Sequence, residues 1–550
     1  MTARSLSLCL YLAGALAFSP FLRAADLDLE GASIADIETA YKKGTLTVEK
    51  LVSTYLARIE AYDKQGPAIN ALIYLNPEAL EEAKAADVKL KAGKAHGALF
   101  GIPVILKDNI NTFDMPTTAG SQLLSGSIPS EDAFITKRLR EAGAIILAKS
   151  NLSEFAAGGG SVGGTKDAAL IAAAAIPQGF SSEGGQTHNP HNLEHNPAGS
   201  SGGSGAAIAA SFAQVALGTD TTVSVRGPSS ACGIVGLRPS TGLMSRTGIV
   251  PISYMMDTAG PMARRVSDVA VALGVMAVAD PTDGMSKRSG AKFESNYTKY
   301  LKVGSLKGAR IGVLRAFMGQ NAETDRVIEE SIATLKQLGA VIVDPVALPD
   351  YAMKIRTEFQ PDLNRAEFKV LIAEYLKKYT KPEYPKSIEE LATRANDPAM
   401  HYRSPGKAVG LKYAAANSLD LDDPAIQAIK NEGFALIKAA VRVVFADNQL
   451  DAIIYPTVPR PAGLINAPPA GLTSAAGPGT PNLFASEAGC PELVIPAGMT
   501  TDGLPVTLSF MGKEFTEAKI LAYGYDFEQA TKAIAVPKMT PILPGDHLSL

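Results

Sequence analysis

Apolar residues recur along the N-terminal half of the chain with two different periods. From Thr47 they return every three or four residues, the period of an amphipathic helix, and they occupy Val48, Leu51, Val52, Tyr55, Leu56 and Ile59. A second helix is predicted over 79–91, and residues 102–106 are uniformly apolar, as in a strand buried on both faces. A helix over 134–142 and a strand over 144–148 follow. This order predicts a mixed or mostly parallel sheet covered by helices.

The C-terminal half continues the alternation and shows no internal repeat or linker. A helix of small residues is predicted over 205–217, and another helix is predicted to start at an N-cap formed by Thr324 and Asp325. The stretch 351–440 is polar and helical, and a closing helix is predicted from Glu514. The predicted strands are 309–314, 340–343, 451–455, 493–495 and the alternating, half-buried run at Val506, Leu508 and Phe510. We therefore expect a single large α/β domain with a mixed β-sheet flanked by helices.

Composition and charge narrow the function classes. The 550 residues are 46% hydrophobic, which is ample for a deep core, and the formal net charge is only −3. A charge this close to zero gives no indication of a nucleic-acid partner or of an anionic membrane surface. We expect neither, and both a monomer and a homodimer remain open.

The N-terminus has the features of an export signal. Arg4 supplies a positive charge, residues 6–18 form a short apolar run, and Ala24 is a small residue at which cleavage could occur. We therefore predict a signal peptide over 1–24, one domain over 25–550, and a periplasmic or secreted protein. The alternative is an uncleaved anchor, although the run is short for a membrane span.

Cys232 and Cys490 are the two cysteines left after removal of that segment. In an exported chain they could form a disulfide, but sequence alone does not place them near each other. We expect both to be small buried hydrophobic residues.

Two serines and one lysine form the candidate reaction centre. Ser200 and Ser224 both lie in small-residue, glycine-containing sequence, and Lys107 ends an apolar run. A serine hydroxyl needs a base to take its proton, and none of the six histidines lies in a familiar nucleophile or triad context. A buried lysine can be that base, because burial lowers its pKa; a fall from about 10.4 to about 7 corresponds to about 4 to 5 kcal/mol. The lysine can also reach the attacking hydroxyl through a second hydroxyl, a role open to Ser200.

The glycines suggest that the same region stabilises negative charge. A tetrahedral intermediate needs backbone N–H groups aimed at its oxyanion. Successive N–H groups converge in turn-like backbone, where glycine is the least strained residue, and the segment 218–224 begins in this way. The long stretch 158–190, rich in glycine, serine and alanine, leads into the Ser200 motif. A loop of that length inside a compact domain is usually functional or disordered, and its position favours a function.

The motifs around these residues resemble those of the amidase signature family. They are Gly-Ile-Pro-Val-Ile-Leu-Lys-Asp-Asn at 101–109, Asn-Pro-Ala-Gly-Ser-Ser-Gly-Gly-Ser at 196–204, and Gly-Thr-Asp with Ser-Val-Arg-Gly-Pro within 218–228. Further matches lie at 233–239, 257–264, 491–498 and 503–506. The resemblance covers nearly everything after the predicted signal, and among subfamilies it is strongest to peptide amidases.

This resemblance implies an enzyme that hydrolyses a linear amide through a Ser-Ser-Lys triad and an acyl-enzyme, without cofactor or metal. Ser224 would be the nucleophile, Ser200 the bridging serine in a cis peptide, and Lys107 the base. The substrate would be a small-molecule or peptide amide. The oxyanion hole would consist of the backbone N–H groups of Thr221, Thr222, Val223 and Ser224.

One departure from the family pattern opens alternatives. Thr222 and Val223 stand where the family usually carries two glycines, and a β-branched residue is costly where φ must be positive. Either φ is negative there, or the hole is altered and the protein is a catalytically weak amide-binding homologue. Carbamate or ester hydrolysis with the same triad is also open. An ammonia-producing amidotransferase subunit fits less well, because that work is cytosolic and the chain carries an export-like segment.

Other polar residues have simpler interpretations. The spacing of His188, His191 and His195 superficially suits zinc, but we expect surface histidines or histidines that brace a loop. Asp220 and Arg226 could be catalytic, but a buried structural pair that shapes the turn is the preferred interpretation.

Overall fold

The computed structural model describes residues 26–549, apart from 159–161, 163–164, 166, 290–291 and 467–481. The predicted signal peptide over 1–24 therefore lies outside the described residues. The strands are Asp26–Asp28 (β1), Leu72–Leu75 (β2), Pro103–Lys107 (β3), Ile145–Ser150 (β4), Phe180–Ser181 (β5), Gly185–Gln186 (β6), Val215–Asp220 (β7), Val235–Arg238 (β8), Thr258–Ala263 (β9), Arg310–Val313 (β10), Val341–Val343 (β11), Ala452–Pro456 (β12), Glu492–Met499 (β13), Pro505–Met511 (β14) and His547–Ser549 (β15).

An 11-stranded sheet forms the centre of the molecule, in the order β11-β10-β12-β14-β13-β8-β9-β7-β3-β4-β2. β3 pairs in parallel with β4 and β7, and β10 pairs in parallel with β11 and β12. The other neighbours in this sheet are antiparallel. The predicted α/β domain with a mixed sheet is therefore confirmed.

Helices flank this sheet, and their inner faces carry the buried apolar residues. Thr47 caps the helix that the apolar period predicts, accepting a hydrogen bond from the Lys50 N–H. The helices are Ile34–Lys43 (α1), Val48–Tyr62 (α2), Ala79–Lys91 (α3), Phe134–Glu141 (α4), Ala168–Ala173 (α5), Gly202–Ala209 (α6), Arg226–Ala231 (α7), Val266–Met276 (α8), Ala322–Gln337 (α9), Asp350–Tyr379 (α10), Ile388–Ala395 (α11), Pro405–Asn417 (α12), Pro424–Ala428 (α13), Phe434–Asp447 (α14), Asn482–Ala488 (α15) and Glu517–Thr531 (α16).

Two predicted helix bounds are wrong. The helix predicted over 205–217 is α6 only to Ala209, and its second half contains the start of β7 at Val215. A short run of small apolar residues fits a buried helix or a buried strand equally well, so the spacing of its apolar residues does not distinguish the two. The N-cap of α9 is Asn321, which accepts the Thr324 N–H at 2.9 Å, so the helix begins before the predicted cap.

The prediction of a half-buried strand at Val506, Leu508 and Phe510 is also wrong, because β14 is buried along its whole length. Its polar residues have partners in the interior. Thr507 Oγ1 donates to Ser230 Oγ at 2.6 Å, and Ser509 Oγ donates to Glu492 Oε1 at 2.6 Å. Hydroxyls that are hydrogen-bonded in this way can face a buried surface without a large cost, so alternation alone does not report solvent exposure here.

The helices of the polar stretch 351–440 cover one region beside the sheet. A separate hydrophobic cluster packs α10, α11 and α12 against the segments that carry Ala119, Phe155 and Val250. Ala119 follows β3, Phe155 follows β4, and Val250 lies between β8 and β9. The packing therefore builds a wall above the ends of β3 and β7.

Cys232 and Cys490 are both buried and unpaired. Burial raises the pKa of the Cys490 thiol to about 12 and raises the pKa of Cys232 as well. Both behave as small hydrophobic residues, as predicted, and the disulfide alternative is wrong. Among the described helices, none is both long and apolar enough to cross a bilayer.

Candidate active site

Lys107 lies where two parallel strands end side by side. β3 pairs with β7 so that Leu106 lies opposite Leu217, which brings the last residue of β3 next to Thr219. Lys107 Nζ donates to Thr219 Oγ1 at 2.8 Å and lies 3.4 Å from the Thr219 carbonyl oxygen. The carboxyl ends of adjacent parallel strands commonly form the ligand crevice of an α/β sheet.

Ser200 is the second hydrogen-bond partner of this lysine. Lys107 Nζ lies 2.7 Å from Ser200 Oγ. The Gly199–Ser200 peptide is cis, in agreement with the family resemblance, and the Ser200 carbonyl accepts the Ser153 N–H at 2.9 Å. The lysine and this hydroxyl are therefore held together by β3, β7 and the segment that leads into α6.

Burial lowers the pKa of Lys107 from 10.5 to about 7. The side chain is fully enclosed, so the ammonium form loses its hydration. The negative charges of Asp220 and Asp257 act in the opposite direction and raise the pKa, but they do not outweigh burial. A substantial fraction of the lysine is consequently neutral near pH 7 and can accept a proton.

The turn that carries Ser224 follows β7 and is anchored by Asp220. This carboxylate accepts the Val225 N–H at 2.9 Å and bonds to both Arg226 and Arg238 at 2.9 Å. Burial raises the pKa of Asp220, but the two guanidinium groups outweigh burial and hold the pKa well below its usual range. The preferred interpretation of Asp220 and Arg226 as a buried structural pair is confirmed.

Ser224 and Ser200 lie on neighbouring segments, although their hydroxyls are not hydrogen-bonded to each other among the described contacts. The Ser201 N–H donates to the Ser224 carbonyl at 3.1 Å, which joins the two segments directly. Ser224 is 7% exposed, whereas Ser200 is 2% exposed. Of the two serines, Ser224 is thus the one more open to a ligand.

Backbone N–H groups beside Ser224 are free to bind an anion. The N–H groups of Thr221, Thr222, Val223 and Ser224 donate to no described residue, while the Thr222 carbonyl is held by Arg226 and by Ser486 Oγ at 3.0 Å. Neither Thr222 nor Val223 is among the described residues with positive φ. The β-branched side chains are therefore accommodated without left-handed strain, and the backbone-strain argument for an altered hole does not apply.

A cavity of about 310 Å³ is lined in part by Thr219 and Thr221, which precede Ser224 in the chain. It reaches Asn109, Thr219 and Thr221 at one end, and its volume lies within the range of small-ligand sites. One wall comes from α10 and the other from the loop after β8. The wall residues include Leu371, Tyr375, Tyr379, Ile249, Val250 and Tyr254.

Asp257 ties the turn to the wall of this cavity. Thr221 Oγ1 donates to Asp257 Oδ1 at 2.6 Å, and Asp257 Oδ2 accepts the Ile252 and Ser253 N–H groups at 2.7 and 3.0 Å. Burial raises the pKa of Asp257, and these hydrogen bonds oppose the rise. The position of the Thr221 backbone is thereby coupled to the loop that faces the cavity.

Thr219, Asn109 and Asp257 are site residues that the sequence analysis did not identify as such. Asn109 Nδ2 donates to the same Thr219 Oγ1 that Lys107 contacts, at 3.0 Å. All three lie inside the motifs that carry the family resemblance, and this position is the feature of the sequence that could have identified them as site residues. Their roles depend on contacts between β3, β7 and β9, and no local pattern predicts those contacts.

The three histidines brace a loop, as expected. His188 Nδ1 lies 2.7 Å from the Leu193 carbonyl, His191 Nε2 lies 3.1 Å from that of Cys232, and His195 Nδ1 lies 2.6 Å from that of Ala462. His188 bonds to a carbonyl of its own loop, whereas His191 and His195 bond to carbonyls of other segments. Burial lowers the pKa of His191 to about 4, so this imidazole is neutral at physiological pH.

Comparison with known proteins identifies the family. The family model named Amidase matches residues 50–521. The crystal structure of native peptide amidase from Stenotrophomonas maltophilia superimposes with a TM-score of 0.83 at 36% identity, covering 93% of this chain and 99% of that one. The chain belongs to the amidase family, so the resemblance found in the sequence is confirmed.

Two curated relatives show the breadth of this family. A probable amidase of Arabidopsis thaliana is 33% identical over 519 residues, covering 93% of this chain and 92% of the relative. A glutamyl-tRNA(Gln) amidotransferase subunit of Thermoanaerobacter pseudethanolicus is 36% identical over 531 residues, covering 93% and 99%. The protein is an amide-hydrolysing enzyme of the amidase family.

Proposed function

We propose that the protein hydrolyses a linear amide, with Ser224 as nucleophile, Ser200 as proton relay and Lys107 as base. The observation that carries the proposal is the 2.7 Å contact between Lys107 Nζ and Ser200 Oγ, made by an amine whose burial lowers its pKa to about 7. A neutral amine can withdraw the Ser200 proton as Ser200 takes the proton of Ser224. The Ser224 hydroxyl first turns toward Ser200, since the two are not hydrogen-bonded at rest.

In the acylation step, Ser224 Oγ forms a bond to the substrate carbonyl carbon, and its proton passes to Ser200 while the Ser200 proton passes to Lys107. The negative charge on the substrate oxygen is stabilised by the N–H groups of Thr221, Thr222, Val223 and Ser224. When the C–N bond breaks, Lys107 returns its proton through Ser200 to the leaving nitrogen. The products are a neutral amine or ammonia and an ester of Ser224.

In the deacylation step, water attacks the Ser224 ester. Its proton leaves through Ser200 to Lys107, and a carboxylic acid is released as Ser224 recovers a proton by the reverse path. The atoms and charges balance without an added reactant. The cycle therefore needs only the substrate, water and the side chains already described.

The expected substrates are peptide or aryl amides. The similarity to a structure named peptide amidase supports a peptide amide, and the mainly apolar cavity beside Thr219 supports an aryl or aliphatic acyl group. Esters and carbamates have the same carbonyl and remain substrates that the mechanism allows. A panel of amides, esters and carbamates with matched substituents would rank the three classes.

The amidotransferase relatives favour a second candidate function. At 36% identity and nearly full coverage, this chain could release ammonia from a glutamine-like carboxamide for a partner. Glutaminase activity of the isolated chain that rises strongly on addition of an amidotransferase partner would support this candidate. Export of the chain, which the N-terminal residues predict, would count against it.

Labelling by a fluorophosphonate tests the main proposal. The wild-type chain should be labelled covalently, and Ser224→Ala should abolish labelling while the protein stays folded. Ser331→Ala is the matched control, because Ser331 is also buried but lies on α9 and donates to the Val327 carbonyl. Unchanged labelling of Ser224→Ala would refute the assignment of the nucleophile.

Export is part of the same proposal. The predicted signal over 1–24 would direct the enzyme to the periplasm or the exterior, and Edman sequencing of the mature protein should start at or next to residue 25. A chain that keeps Met1 and remains in the cytosol would contradict export. Size-exclusion chromatography with light scattering would decide between a monomer and a homodimer.

A further inference from the structure

Asn109 is positioned between the proposed base and the cavity. It follows β3 by two residues and is 1% exposed. Its Nδ2 donates to Thr219 Oγ1 at 3.0 Å, and its backbone carbonyl accepts the Val250 N–H at 2.8 Å. These two bonds fix the side chain at the end of the cavity that reaches Thr219.

The carboxamide oxygen of Asn109 has no hydrogen-bond partner among the described residues. A buried polar atom without a partner costs about 1 to 3 kcal/mol, and native proteins contain few of them. Most such atoms are satisfied by water or by a ligand when one is bound. Asn109 lines the cavity, so a substrate that enters it lies next to this side chain and could satisfy its buried acceptor.

We propose that Asn109 Oδ1 accepts an N–H of the substrate amide and thereby selects amides over esters. This inference rests on the proposed function. As the tetrahedral intermediate forms, the leaving nitrogen becomes pyramidal, and its lone pair must face the proton delivered by Ser200. An acceptor that holds an N–H of the same nitrogen directs the lone pair toward that proton.

An ester cannot make this contact. Its leaving oxygen carries lone pairs and no hydrogen, so Asn109 Oδ1 would stay unpaired and would face another acceptor. A site built to hydrogen-bond an N–H rejects the analogue that lacks it, because the buried group is then left without a partner. Asn109 therefore determines which leaving group is favoured. Lys107 and Ser200, in contrast, take part in the hydrolysis of both amides and esters.

The test compares Asn109→Leu with the wild type on a p-nitroanilide and a p-nitrophenyl ester of the same acyl group. Leucine has a similar shape and no acceptor. We expect the ratio of kcat/KM for the anilide to kcat/KM for the ester to fall about tenfold, as for the loss of one hydrogen bond of about 1.4 kcal/mol. A ratio that stays within twofold of the wild type would overturn the inference.

Two further variants separate this effect from a disturbance of the base. Asp257→Asn removes a charge that acts on Lys107 and makes no described hydrogen bond to Asn109, so it should move the pH profile to lower pH and leave the ratio unchanged. Asn109→Asp keeps an acceptor but adds a negative charge near Lys107, so the ratio should be retained while the pH profile moves to higher pH. Equal losses on both substrates in Asn109→Leu would assign Asn109 to positioning alone and would refute the selectivity role.

Binding measured without turnover distinguishes this inference from the proposed function. In the Ser224→Ala background, Asn109→Leu should weaken binding of the anilide about tenfold by calorimetry and leave binding of the ester unchanged. Equal affinities would overturn the inference whatever the mechanism of hydrolysis. Persistent turnover in Ser224→Ala would count against the proposed nucleophile only.

Discussion

Replacing Lys107 with methionine should stabilise the fold and inactivate the enzyme. Lowering the pKa from 10.5 to about 7 corresponds to about 5 kcal/mol of lost preference for the ammonium form. Methionine fills the same buried space without a charge. The two hydrogen bonds to Ser200 and Thr219 disappear, at about 1 kcal/mol each. A net stabilisation of about 2 to 3 kcal/mol should remain below pH 7.

The sign of the pH dependence follows from the direction of the shift. Below pH 7 the lysine is protonated in both the folded and the unfolded wild type, and the full burial cost is present. Between pH 7 and about 10.5 the unfolded chain binds more protons than the folded one, so the stability of the wild type rises with pH. The advantage of Lys107→Met should therefore shrink through this window, vanish at about pH 9, and reverse above it, because the neutral lysine keeps its two hydrogen bonds.

Denaturant unfolding of both proteins at pH 6, 7.5 and 9 measures this difference. Turnover of Lys107→Met should fall by about 10²- to 10⁴-fold, the usual contribution of a general base, and its pH–rate profile should be flat near neutrality. A stability difference that is independent of pH, or a variant less stable than wild type at pH 6, would refute the reasoning. Unchanged turnover would remove Lys107 from the mechanism.

Three more substitutions test the turn and its charges. Asp220→Asn leaves the buried guanidinium of Arg238 without a carboxylate and leaves Arg226 with Glu492 in place of two carboxylates, so denaturant unfolding should show a loss of about 3 to 5 kcal/mol; a loss below 1 kcal/mol would contradict the anchoring role. Val223→Gly should cost about 2 kcal/mol of stability and should not raise kcat, because φ is not positive there; a faster enzyme would show that the side chain obstructs the hole. Asp257→Asn removes a charge that raises the Lys107 pKa, so the acid limb of kcat/KM should move to lower pH, and a move to higher pH would be inconsistent with this account.

The architecture was predictable where a long apolar period or a uniformly apolar run defined the element. The helix that Thr47 caps and the strand that ends at Lys107 are examples. The prediction failed over 205–217, because small residues such as alanine and glycine fill a buried helix and a buried strand with little difference in cost. It also failed at β14, where Thr507 and Ser509 have hydrogen-bond partners in the interior.

The residues proposed to react could be identified from the sequence, whereas the contacts that support them could not. Lys107, Ser200 and Ser224 lie in motifs that the sequence displays directly. The contact between Ser486 and the Thr222 carbonyl joins residues that are 264 positions apart, and no local pattern indicates it. The same holds for Thr221 and Asp257, which meet because β7 and β9 pair in the sheet. The sign of φ at Val223 likewise could not be predicted from the sequence and follows only from the structure of the turn.

The rate of phosphonylation of Ser224 as a function of pH tests the central claim most directly. It reports proton removal from the nucleophile without requiring knowledge of the substrate. The account predicts that the rate rises through a pKa of about 7 in the wild type, and that Ser200→Ala slows it by at least about 10²-fold. A flat profile in the wild type, or an unchanged rate in Ser200→Ala, would contradict a relay from Ser224 through Ser200 to a neutral Lys107.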